Sequence, residues 1–176
     1  AVPMVSFCDI PLSEVKQHIT KYGAYGIGLT KEWAERQRLN PVLYMDKNSH
    51  LSKSYVTFYR KYLIDGGRHR DVMEEHERCI ADILRYIKNY QNDLTRGGQI
   101  IKNYRFSDER EWRFVLDHSI TSDFILTEEE YQTEEQKERA NSSLDKYRLE
   151  FTPNDIKYVI IENEQEISEF LEILKS

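Results

Sequence analysis

Glu109, Glu111, Arg113 and Trp112 fall within RFSDEREWRFVL, residues 105–116, the densest mixture of acid, base and indole in the chain. In an extended strand side chains alternate between faces. Arg110, Trp112 and Phe114 would then share one face, and Glu109, Glu111, Arg113 and Val115 the other. Two glutamates two positions apart stand about 6–7 Å from each other on the same side of a sheet. Alone they would raise each other's pKa; with Arg113 next in the row both can stay ionised. Two readings follow. Either the row is an ion-paired ladder beside a core tryptophan, or Arg113 orients Glu111 in a cleft, with Glu109 as a second carboxylate. In the latter case Glu111 can hydrogen-bond a sugar hydroxyl or stabilise developing positive charge.

Other residues with chemistry are scattered. His18, Tyr22 and Tyr25 lie close in sequence and are candidate binding residues, since tyrosines and histidine stack on bases or nicotinamide. The GIG at 26–28 lacks the third glycine and the helix opening of a dinucleotide fingerprint. Arg68, Arg70, Lys88 and Arg96 are the candidates for phosphate contact. The five histidines do not recur at metal-ligand spacing, and Cys8 and Cys79 form no CxxC pair, so no metal site is expected.

These residues need elements to place them. PMVSFCDI is strand-like, and Leu12, Val15, Ile19 and Tyr22 repeat at helical spacing up to Gly23. AYGIGLT suggests a buried, glycine-rich strand approached by another backbone. Thr30 can cap KEWAERQRL, and PVLYM follows as a third strand. The first 45 residues thus spell β-α-β-α-β. SYVTFYRKYLI suits a helix and DGGRHR a loop. Val72, Met73, Ile80, Ile83, Leu84 and Ile87 then predict one long amphipathic helix over about 71–91. Residues 120–146 are charged and point to an exposed or mobile insertion. YRLEF is expected as a strand, TPND as a capped turn, IKYVIIE as a strand and EQEISEFLEILK as an amphipathic helix. The fold class expected is α+β, a mixed sheet frame with packed helices, in one domain spanning 1–176.

Bulk properties narrow the function. The chain has 176 residues and a net charge of −6. That charge is uneven: residues 1–119 carry 19 Lys and Arg against 16 Asp and Glu, whereas residues 120–176 carry 6 against 15. An acidic end beside a weakly basic body does not suit a broad nucleic-acid clamp and can meet a basic partner. No apolar run approaches the ~18–20 residues that cross a bilayer, and no basic-then-apolar leader is present, so a cytoplasmic setting is expected. The stripe from Val72 to Ile87 suits packing against a second copy equally well, which leaves a homo-oligomer open.

Three blocks of the sequence carry a resemblance. They are VPMVSFCDIPLSEVKQHITKYGAYGIGLTKEWAERQRLNPVLYM, FSDEREWRFV and LEFTPNDIKYVIIENEQEISEFL, with FCDIPL, YGxYGIG, KEW and NPV in order and at tight spacing. Together they resemble the AbiGi family of abortive-infection phage-resistance proteins. The resemblance implies an antitoxin-like member of a two-gene defence system, working through protein–protein contact with a nucleotidyltransferase-type toxin and without a cofactor. It also implies a family segment ahead of VPMVSFCDI that this chain lacks. A fainter likeness to ADP-ribosyltransferase-like folds implies the alternative, an NAD-using enzyme with Glu111 as catalytic carboxylate, Glu109 paired with it and Arg113 orienting it.

Overall fold

A computed structural model describes residues 1–61, 72–96 and 98–175. Six helices and nine strands are found among the described residues, an α+β architecture made of several small sheets. The chain divides into two compact units, residues 1–9 with 39–148 and residues 10–38 with 149–176.

The first unit is framed by β1 (Met4–Cys8), β3 (Asn40–Pro41) and β8 (Glu111–Val115), an antiparallel sheet in the order β1-β8-β3. The register sets Ser6 opposite Arg113 and Cys8 opposite Glu111, while Phe7 faces Trp112. Alternation therefore gives this sheet one polar face, Ser6, Cys8, Glu111 and Arg113, and one aromatic face. Beside it β4 (Leu43–Met45) runs parallel to β5 (Ile87–Asn89). Two helices, α3 (His50–Tyr59) and α4 (Glu75–Arg85), are tied together where the Tyr55 hydroxyl donates to the Ile80 carbonyl at 3.1 Å. Leu39, Val42, Met45, Ile80, Ala81, Leu116 and Phe124 are the buried apolar residues of this unit. A hairpin of β6 (Gln91–Arg96) and β7 (Gln99–Arg105), turning at the left-handed Gly98, pairs with no third strand among the described residues. Its Ile100 is exposed. The 120–146 region contains α5 (Glu134–Ser142), which begins with a Thr133/Gln136 capping box and has no buried residue.

The second unit holds α1 (Val15–Tyr22), α2 (Lys31–Arg36), α6 (Glu166–Lys175) and a two-stranded antiparallel sheet of β2 (Gly26–Leu29) and β9 (Ile156–Ile160). Trp33, 1% exposed, is its buried anchor, with its indole N–H donating to the Glu150 carbonyl at 2.9 Å. The Thr30 side chain caps α2 by accepting from the Trp33 amide. Thr152 and Asp155 cap the Pro153–Asp155 turn, and Asp155 also binds Arg36.

Several local expectations are corrected. The helix expected over 71–91 occupies Glu75–Arg85, and Ile87 belongs to β5. The apolar period continues past Tyr86, but pairing with β4 satisfies the backbone of Ile87–Asn89 in the extended form, so tertiary context overrides the pattern. Extension begins at Glu111, because Phe106–Glu109 form a 3-10 turn and Arg110 takes a left-handed conformation, φ 45°. YRLEF forms no strand; residues 145–147 make a 3-10 turn and Glu150 spends its carbonyl on Trp33. Gly28 is approached by the Tyr158 ring, with an added Cβ lying 2.3 Å from that ring, where another backbone was expected. The DGGRHR loop, with Arg68 and Arg70, lies outside the described residues.

Candidate functional site

The polar face of the β1-β8-β3 sheet carries the densest cluster of charge. Glu109 and Glu111 are both only 4% exposed, and the link between them is Lys88 from β5. Its ammonium donates to Glu109 Oε2 at 2.7 Å and also to Glu111 Oε2. The other oxygens are occupied too. Tyr104 OH donates to Glu109 Oε1 at 3.0 Å; Ser6 Oγ at 2.9 Å and Arg113 Nε at 2.5 Å both donate to Glu111 Oε1. The Glu111 amide donates to Tyr44 OH at 2.7 Å, which fixes the start of β8. Lys88 also lies over the Phe106 ring, 5.0 Å from its centroid, a favourable place for a cation.

The cluster continues toward α4. Arg113 Nη1 donates to the Arg85 carbonyl at 2.5 Å. Arg85, 3% exposed, donates to the Leu116 carbonyl at 2.7 Å and pairs with Asp82. His118 Nδ1 sits 2.6 Å from Asp82 Oδ2, and its Nε2 lies 3.6 Å from Glu75. The result is a continuous lattice from Ser6 on β1 to Glu75 on α4. Its acids, the buried Glu109 and Glu111 and the half-buried Asp82, meet the cations Lys88, Arg113 and Arg85. Removing such charges from water is costly, and the paired charges and shared hydrogen bonds offset that cost, although Arg85 Nε is buried without a hydrogen-bond partner.

Proton affinities follow from this arrangement. Burial pushes the Glu111 carboxyl up, but hydrogen bonds from Lys88 and Arg113 outweigh it and leave the pKa below the ordinary 4.5. Burial pushes Lys88 down, and the two glutamates outweigh it in turn, so its pKa rises above 10.5. The Cys8 thiol is pushed up to about 11, by burial first and then by Glu109 and Glu111. At neutral pH the lattice therefore holds Glu111 as carboxylate, Lys88 as ammonium and Cys8 as thiol. A carboxylate with a depressed pKa is a poor proton carrier near pH 7, and a protonated thiol is a poor nucleophile. The same bonds tie β1, β5, β8 and α4 to one another.

Of the residues singled out from sequence, Glu109, Glu111 and Arg113 are brought together as one row, although Glu109 arrives from the 3-10 turn. His18, Tyr22 and Tyr25 belong to the second unit. There the His18 ring stacks on Tyr22, 4.3 Å between centroids and 19° between planes. Tyr25 OH donates to Glu166 Oε1 at 3.0 Å and to Glu162 Oε2 at 3.3 Å. Sequence reasoning missed Lys88 as the bridging cation, along with Arg85, Tyr104 and Ser6. Only the β4–β5 pairing signals Lys88, and that pairing was hidden inside the helical period. No group of three potential metal ligands occurs among the described residues, and no helix there is long and apolar enough to cross a membrane.

The chain belongs to the AbiGi family: the family model "Putative abortive phage resistance protein AbiGi, antitoxin" matches residues 1–162. It is also similar to the abortive phage resistance protein AbiGi of Lactococcus lactis subsp. cremoris, 25% identical over 179 residues, covering 92% of this chain and 72% of that protein. No solved structure matches it, so the likeness to ADP-ribosyltransferase-like folds gains no support.

Proposed function

We propose that this chain acts as the antitoxin of a two-gene abortive-infection system in the cytoplasm, restraining a cognate toxin by binding it directly. The observation that carries the reading is the match of the antitoxin family model to residues 1–162. Two features of the molecule support it. The carboxylate row that looked most like a catalytic site has its oxygens occupied by Lys88, Arg113, Ser6 and Tyr104. On α6 the aliphatic side chains of Ile167 and Leu171, four residues apart, are both exposed, as suits a helix that meets another protein. The family resemblance supplies the partner's class, a nucleotidyltransferase-type toxin.

Co-expression with the product of the neighbouring gene tests this. The expected result is a complex recovered through a tag on either chain, and restored growth of cells in which that product alone is toxic. Absence of both complex and rescue refutes the reading. Depletion of NAD by this chain, lost in Glu111→Gln, would favour the enzymatic alternative.

A further inference from the structure

We propose that the outward face of α6, with Tyr25 beside it, is the docking surface for the partner, and that it seats in a basic-rimmed apolar groove of that protein. This rests on the antitoxin reading and names the surface that reading needs. Helix α6 is amphipathic in an unusual way. Glu166 and Phe170, four residues apart, are half-buried, whereas Ile167 and Leu171, also four apart, remain 44% and 47% exposed. Residues at this spacing share one face of a helix, so the two aliphatics form a short stripe turned to solvent. That is the pattern by which a helix presents anchors to a groove. Tyr25, 65% exposed, is held at the start of the helix by its hydrogen bonds to Glu162 and Glu166, which adds an aromatic anchor on a fixed mount.

The rim selects the occupant. Residues 162–172 include five glutamates and no lysine or arginine. Glu164, Glu169 and Glu172 are exposed around the stripe. Nucleic acid and anionic lipid surfaces are repelled by such a field. A second copy meeting the same patch across a two-fold axis would set glutamates against glutamates. A basic protein surface is attracted, and the apolar pair gives it something to bury once it arrives.

The test uses the full chain and the purified product of the neighbouring gene. Ile167→Ala with Leu171→Ala keeps strong helix formers and is expected to weaken binding roughly tenfold or more by faster dissociation. Glu164→Gln, Glu169→Gln and Glu172→Gln together are expected to slow association and flatten its dependence on salt. Both variants should melt like the parent by circular dichroism, and Ile100→Ala on the β6–β7 hairpin should bind normally. Normal binding by both α6 variants overturns this surface while leaving the antitoxin reading intact. If the parent chain forms no complex at all, the antitoxin reading falls and the surface with it. Self-association of the chain that the Ile167→Ala/Leu171→Ala pair abolishes would assign the stripe to a second copy and overturn the proposal.

Discussion

At the scale of single residues, Lys88 has the largest leverage. It is the cation shared by two carboxylates that are each 4% exposed, so Lys88→Met leaves both without their common partner. Removing one member of a buried ionic cluster costs about 3–5 kcal/mol, and urea unfolding should show a loss of that order. The pH dependence gives a sharper signature. In the parent the Glu111 pKa is lowered, so its contribution is present above the ordinary carboxylate range near 4.5 and disappears as pH falls through the lowered value. The Lys88 pKa is raised, so its contribution is present below 10.5 and disappears as pH climbs through the raised value. Acidification from neutral should therefore leave the parent unchanged or weaker. It should strengthen Lys88→Met, whose crowded carboxylates gain by taking up a proton. A variant as acid-sensitive as the parent would contradict the lattice. Arg110 offers the opposite test. Its left-handed backbone, φ 45°, costs a side-chain-bearing residue about 1–2 kcal/mol, and its side chain is exposed. Arg110→Gly should raise the melting temperature, while Arg110→Ala should not.

At the scale of elements, the β2–β9 pair depends on glycine. Gly28 lies opposite Tyr158, whose ring fills the space a Cβ would occupy at 2.3 Å. Gly28→Ala forces that ring off the strand and should cost about 1–3 kcal/mol, readable as a lower melting temperature. Tyr158→Ala with Gly28→Ala should be less than additive, because the first change removes the clash. Elements also show how far the sequence could be read. Thr30 as cap of α2, Gly23 at the end of α1 and the Thr152–Asp155 turn were legible, because each is decided by neighbours within four residues. The pairing of Arg113 with Glu111 was legible for the same reason, being set by strand alternation alone. What was not legible depends on distant partners. Ile87–Asn89 abandon a helical period because β4 is there to pair with them, and that choice delivers Lys88 to the glutamates. Glu109 joins the row from outside the strand because Arg110 turns the chain. Trp112, expected in the interior, is half-buried, while Glu111 and Arg113 on the opposite face are the buried pair.

At the scale of the whole molecule, charge is partitioned by role. Glu109 and Glu111 are buried and neutralised, whereas Glu164, Glu169 and Glu172 are exposed in a stretch, residues 162–172, that holds no lysine or arginine. Salt should therefore act differently on folding and on association. Raising ionic strength should change the melting temperature little, because buried pairs are weakly screened, but should slow complex formation markedly. Equal sensitivity of both would contradict this division. The most direct measurement is a titration of the purified full chain into the product of its neighbouring gene, followed by calorimetry and by the loss of that product's toxic activity. Saturable binding is expected, with inhibition tracking occupancy. Inhibition without binding, or neither at concentrations where both chains are folded, would contradict it.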